Sequence, residues 1–286
     1  MQFSGKKLFS DIYKIICTLS IAFIFAQIFL TLNVPAPYFL GSVIGVWVIG
    51  AFVSHTRPLL VIANWFYLPV IIGISVLIGT NFTPEILQTA QKWLVTVCIM
   101  IIATICVTLI AFQFLTRVKL YEPKQAFLCS IPGGQAEALV VAREMVEKDY
   151  VVALFHLVRV AIVFICTPLF LVIIEGSEAI QRSNVIIQDM PNISDLSIFQ
   201  AGLFIGLCVS GYWIARLIRI PIPHLLGPIF LSSILHFTGI IELPRINEFV
   251  IIAQMTIGAS VGARLAQISL LELKNVLGDA FITSGL

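Results

Sequence analysis

Long apolar runs separated by short polar connections dominate the chain. They lie near residues 15–32, 38–53, 58–80, 93–115, 150–174, 198–215, 224–241 and 247–263. The clearest, "WLVTVCIMIIATICVTLIAFQFL" (93–115), carries no formal charge. At about 1.5 Å per residue the longer runs can cross a hydrocarbon core of about 30 Å as helices. Open strands cannot satisfy their backbone in lipid, and the runs lack the apolar/polar alternation of a transmembrane barrel. The pattern therefore predicts an all-α, polytopic helical membrane protein, organised as a single membrane domain over 1–286.

Composition strengthens that reading. Of the 286 residues 59% are hydrophobic and 11% charged, with a mean hydropathy of +1.04. A soluble domain carries about 25% charged residues, so the bilayer is the partner that the surface implies. The net charge of +2, without a basic tract, argues against direct nucleic-acid binding. Six cysteines (17, 98, 106, 129, 166 and 208) are scattered without a CxxC and read as reduced core residues. The first residues, "MQFSGKKLFSDIYK", lead into an apolar run without a small-residue cleavage site, which predicts a retained first span.

One polar interruption stands out, "SIPGGQAE" (Ser130–Glu137). Pro132 removes a backbone donor and Gly133–Gly134 permit a tight turn. A helix is expected just after it, with Glu137 in the first turn, where free N–H groups can also receive an anion. The positive-inside rule places this segment. With the N-terminus in the cytoplasm, that side collects Lys6, Lys7, Lys14, Arg57, Arg117, Lys119, Lys124, Arg143, Lys148, Arg216, Arg219, Arg264 and Lys274. The outside keeps Lys92, Arg182 and Arg245. The bias holds if 126–148 is a re-entrant or interfacial element that starts and ends in the cytoplasm. An amphipathic surface helix behind an ordinary Pro-Gly-Gly turn is the plainer alternative.

Two connections match at one spacing: "PAPYFLG" (Pro35–Gly41) and "PIPHLLG" (Pro221–Gly227), 186 residues apart. "GISV" (Gly73–Val76) and "GASV" (Gly258–Val261) follow at an offset of 185. Their order and offset predict a duplication: repeat 1 over 11–175, with five spans and the 126–148 segment, and an incomplete repeat 2 over 198–286. An odd number of spans inverts the second copy, the arrangement of many secondary transporters. Residues 274–286 correspond to the start of its fourth span, and no second P-G-G follows. The spans 38–53 and 224–241 are short and interrupted by Gly or Pro, a pointer to a midplane site. Close helix packing is the competing reading of their glycines.

Arg159 lies ten residues into an apolar span, with His156 one helical turn earlier. An arginine within a span marks a functional-site candidate by default, with snorkelling to the interface as the alternative. Glu137 is the nearest evident carboxylate partner. The histidines His55, His156, His224 and His236 are isolated, so no metal or cofactor is expected and an enzyme is the weakest class.

Together "PAPYFLG", "SIPGGQAEA", "HLVRVAIVFICTPLF", "PIPHLLGP" and "QMTIGASVGARL" resemble the bacterial membrane AbrB family, over most of the chain. This family is distinct from the small DNA-binding AbrB proteins; its members carry the labels transcriptional regulator and ammonia monooxygenase. The resemblance implies an inner-membrane protein with two five-span copies, each bearing a P-G-G-x-x-E element. Pro132, Gly133, Gly134 and Glu137 match that element, Arg159 the arginine of the following span, and Gln254, Gly258 and Gly262 the second Gly-rich helix. The candidate substrate-binding set is Pro132, Gly133, Gly134, Gln135, Glu137, His156, Arg159, Gly41, Gly227, Gly258, Ser260 and Gly262. The expected function is a secondary transporter or permease for a small solute, including an anionic one, in a chain able to form a homo-oligomer. The alternatives are an indirect membrane regulator of gene expression and, last, a monooxygenase.

Overall fold

A computed structural model describes residues 5–84, 86–132, 135–176, 178, 184–186, 189–267 and 278, with side chains for all but 5–7, 86–92, 135–137, 139 and 140. Every regular element among them is a helix. In chain order these are α1 (Gly5–Thr31), α2 (Pro37–Phe52), α3 (Asn64–Gly79), α4 (Ile86–Gln113), α5 (Pro123–Ser130), α6 (Gln135–Met145), α7 (Asp149–Glu175), α8 (Ile198–Leu217), α9 (Pro223–Phe237) and α10 (Asn247–Ala266). A π turn, Phe114–Val118, extends α4, and 3₁₀ turns occupy Ser54–Leu59 and Ile193–Asp195.

Five of these helices are long and apolar enough to cross a membrane: Leu8–Thr31, Trp93–Val118, Asp149–Glu175, Ile198–Leu217 and Asn247–Ala266. The apolar runs thus form helices, as expected, but three are shorter. Helices α2 and α3 have 16 residues and α9 has 15, which is about 24 Å or less at 1.5 Å per residue. The run at 58–80 yields a helix only from Asn64, because the preceding turn is tied elsewhere. Arg57 Nε donates to Gly50 O (2.8 Å), closing the C-terminal end of α2. Thr18 Oγ1 donates toward Leu59 O (3.2 Å) and accepts from Val61 N–H (3.2 Å), holding this segment on α1.

Contacts gather the chain into two compact units. The first combines Met1–Ala90 with Val172–Ala263, and the second Gln91–Leu171 with Arg264–Leu286.

In the first unit, the two matched connections share their backbone geometry. Asn33 and Ala36 have φ of 52° and 46°; Arg219 and Ile222, 186 residues later, have 58° and 52°. These are four of the five non-glycine residues at positive φ among the described residues. The conformation is unfavourable for side chains with a Cβ, most of all a β-branched one. The bonds coincide as well. Val34 N–H donates to Phe29 O (3.0 Å) and Ile220 N–H to Ala215 O (2.9 Å). Leu40 N–H donates to Ala36 O (2.9 Å) and Leu226 N–H to Ile222 O (3.1 Å). Pro37 and Pro223 then occupy the first helical turn, where a missing N–H is tolerated.

Packing repeats the correspondence. Helix α2 folds back on α1, and α9 on α8, at Gly41 and Gly227. A Cβ on Gly41 would sit 2.6 Å from Ala26 Cα; one on Gly227 would run into Gly211 O and Ala215. Helix α10 lies along α2, where Cβ atoms on Gly258 and Gly262 would sit 2.6 Å from Phe39 O and 2.5 Å from Val43 O. Helix α3 lies along α9, where Ser232 Oγ donates to Val76 O (2.8 Å). The third helix of each set therefore packs on the second helix of the other. Helix α10 is also the most enclosed candidate span, 56% of its most apolar window being buried against at most 22% for the others.

His236 fastens the end of α9. Leu243 N–H donates to its Nε2 (3.1 Å), so Nδ1 carries the proton and faces Ser232 O at 2.8 Å. This histidine, isolated in sequence, is a structural clamp.

Candidate functional site

The second unit holds the polar interruption. Helix α5 is eight residues long, begun by Pro123 and ended before Pro132, so its last carbonyls have no intrahelical donors. Leaving them unpaired in an apolar setting costs about 1–3 kcal/mol each. Helix α7 supplies the donors. His156 Nε2 lies 2.9 Å from Leu128 O. Arg159 Nη2 donates to Cys129 O (2.6 Å) and toward Ser130 O (3.3 Å), and Nη1 donates to Ile131 O (2.8 Å). Four successive carbonyls thus meet two side chains spaced one helical turn apart. The fit uses guanidinium geometry, two nitrogens in one plane reaching neighbouring oxygens, and places a cation at the negative end of the α5 dipole.

The carbonyl side of the junction is buried, while Arg159 itself is half-buried. His156 is 2% exposed, Cys129 0% and Ser130 3%. Phe155, on the same helix, packs edge-on against Tyr121, with ring centroids 5.9 Å apart. An apolar cavity of about 570 Å³ is lined by Phe112, Phe127, Leu128, Val141, Met145 and His156, among others.

The expected partner of Arg159 was Glu137. Among the described residues Arg159 is engaged by backbone oxygens, and the Glu137 side chain lies outside the described residues. So do Gly133, Gly134 and the side chain of Gln135. The backbone of Gln135 and Glu137 begins α6, as the Pro-Gly-Gly turn predicts, and Pro132 is exposed beside α5. The remaining candidates belong to the first unit. Gly41, Gly227, Gly258 and Gly262 make the close helix contacts above, and Ser260 is half-buried on α10.

Sequence reasoning singled out His156 and Arg159 but missed what they bind, because backbone carbonyls leave no signature in side-chain identity. The one available signal was the coincidence of an i, i+3 polar pair with a helix cut short by proline.

A second polar feature lies on α10, where Gln254 Oε1 and Thr256 Oγ1 are buried without a hydrogen-bond partner among the described residues. Several other helical hydroxyls bond back four residues, as Ser42 does to Tyr38 O (2.5 Å), Ser75 to Ile71 O (2.7 Å) and Thr104 to Met100 O (2.8 Å). Thr256 forgoes that bond, although it is fully buried.

No solved structure matches the chain. It is similar to the protein described as "Uncharacterized protein YhjN" of Bacillus subtilis (strain 168), with 20% identity over 268 residues, covering 86% of this chain and 68% of the relative. A family model described as "Transition state regulatory protein AbrB" matches residues 46–286, and the chain therefore belongs to the AbrB family.

Proposed function

We propose that this AbrB-family protein is a secondary transporter of a small solute in the bacterial inner membrane, with its N-terminus in the cytoplasm. The observation that carries the reading is the α5–α7 junction. Transporters place interrupted helices at the solute site, where free helix ends face the cargo. Here an intramembrane arginine and histidine stabilise the broken end of α5 immediately before the Pro-Gly-Gly turn. The first N–H groups of α6, which a helix leaves without intrahelical acceptors, can then receive a solute, an anionic one included.

Two further observations support it. The α1–α3 and α8–α10 sets share unusual backbone geometry at a fixed offset, and we read them as inverted copies. The oxygens of Gln254 and Thr256, unpartnered among the described residues, give the most enclosed candidate span a polar point suited to a cargo or a coupling ion.

Uptake of labelled solutes by proteoliposomes tests the proposal. Flux that is lost in Glu137→Gln, with the protein still monodisperse and its melting temperature unchanged, is the expected result. Binding of a solute without flux favours the second reading, a membrane sensor acting indirectly on gene expression, which the family description suggests.

A further inference from the structure

The α5–α6 hairpin leaves and rejoins the longer helices through two connections, "KLYE" (119–122) and "EKDY" (147–150). A cavity of about 580 Å³ lies between them, within the range of small-molecule sites, about 300–1,000 Å³. Each connection contributes one lysine, one glutamate and one tyrosine to its wall, and α5 contributes Gln125. Buried Val151 and Leu154 of α7 form the floor.

Several polar groups of this wall are open to a ligand. Gln125 is 9% exposed, yet its side chain makes no hydrogen bond with any described residue. Glu122 stands at the N-cap position of α5, but its side chain caps nothing. Glu122, Glu147 and Lys148 are exposed and form no ion pair among the described residues. The backbone is also unusual here. Leu120 has φ 57°, making it the fifth non-glycine residue at positive φ, and it follows the π turn at Phe114–Val118. Both irregularities concentrate at functional sites.

We propose that this cavity binds a small zwitterion carrying an ammonium and a carboxylate, either a free α-amino acid or a short peptide. The formal charge of the wall is balanced, two lysines against two glutamates, so a plain dianion that satisfies Lys148 must also face Glu122 and Glu147. A zwitterion presents its carboxylate to Lys148 and its ammonium to the glutamates, while Gln125 can serve either end. Because the ligand touches both connections, it ties together the two feet of the hairpin that carries the Pro-Gly-Gly turn. The site does not require the chain to transport anything, and an equilibrium binding assay tests it separately from flux.

The full chain in nanodiscs is dialysed against an equimolar mixture of the twenty α-amino acids and, in parallel, against a dipeptide mixture, with retention read by mass spectrometry against empty nanodiscs. Selective retention from one mixture is expected and identifies which source supplies the ligand. Glu122→Gln, Lys148→Gln and Gln125→Leu should each weaken the retained compound at least tenfold, with unchanged melting temperature because all three act at the cavity wall. N-acetylation or carboxyl amidation of that compound should cost as much, each removing one charge-assisted bond. No retention from either mixture would overturn the proposal. So would retention indifferent to these variants and to blocked termini, or displacement by succinate or inorganic phosphate as effective as by the retained compound.

Discussion

Replacing Arg159 with leucine removes every side-chain donor that the described residues offer to three consecutive carbonyls at the end of α5. Two of the bonds lost are short, 2.6 Å to Cys129 O and 2.8 Å to Ile131 O. A hydrogen bond involving a charged group contributes about 1.5–3 kcal/mol, so the pair stabilises the closed hairpin by about 3–6 kcal/mol. Water reaching the freed oxygens offsets part of this loss, leaving about 3 kcal/mol. Each 1.4 kcal/mol is a tenfold change in an equilibrium, so opening of α5 should become about a hundredfold more frequent. Cys129 reports it directly, since it is fully buried in α5 and carries a free thiol. In a variant retaining Cys129 alone among the six cysteines, maleimide labelling under native conditions tracks local opening. The Arg159→Leu rate should rise about a hundredfold. Arg159→Lys keeps the charge but cannot reach two oxygens in one plane, and should give about a tenfold rise. Labelling of Arg159→Leu at the parent rate would refute the capping role.

Ile222→Gly should raise the melting temperature by a few degrees, since a left-handed conformation costs a β-branched residue about 1–2 kcal/mol that glycine avoids. Ala36→Gly should do the same to a smaller extent, and a fall in both would mean that these residues contribute contacts outweighing their strain. Gly258→Val should lower the melting temperature sharply, because its first added carbon would lie 2.6 Å from Phe39 O, which is backbone and cannot turn aside; a neutral result would show that α10 can slide on α2. His236→Ala strands Leu243 N–H and should cost about 1–3 kcal/mol, with faster amide exchange at Leu243 as the local readout.

The spans were legible because hydrophobic length is a one-dimensional property: α4 and α7 sit almost where their apolar runs do. Length failed at α3, whose run begins with residues that Thr18 and Arg57 hold as a turn, a tertiary contact with no local signature. The Pro-x-Pro connections were legible as a repeat of letters. Their left-handed residues were not, because neither Ala36 nor Ile222 is a residue type that favours that conformation. At the candidate site the sequence identified the expensive group, Arg159, and assigned it a carboxylate. Charge complementarity between side chains is visible in sequence, whereas a helix end left with unpaired carbonyls becomes visible only once the ends of α5 are known.

That difference changes what the arginine can do in a transport cycle. A guanidinium paired with a single carboxylate can be released by protonating that carboxylate, which makes such a pair a natural relay. The backbone oxygens that hold Arg159 do not titrate, so protonation cannot release those bonds. Its bonds break only if α5 itself unwinds or moves away from α7, so Arg159 is better suited to holding the interrupted helix than to exchanging ions with the cargo. Chemistry that responds to solute must then come from groups on the other side of the turn, namely the N–H groups at the start of α6 and Glu137, while Arg159 and His156 keep the opposite side fixed. In a functioning transporter this predicts unequal behaviour for the two charged residues. Glu137→Gln should alter solute or proton dependence in a folded protein, and Arg159→Lys should reduce stability and uptake together without changing their dependence on pH. A shifted pH profile in Arg159→Lys, with Cys129 still protected from labelling, would restore the relay.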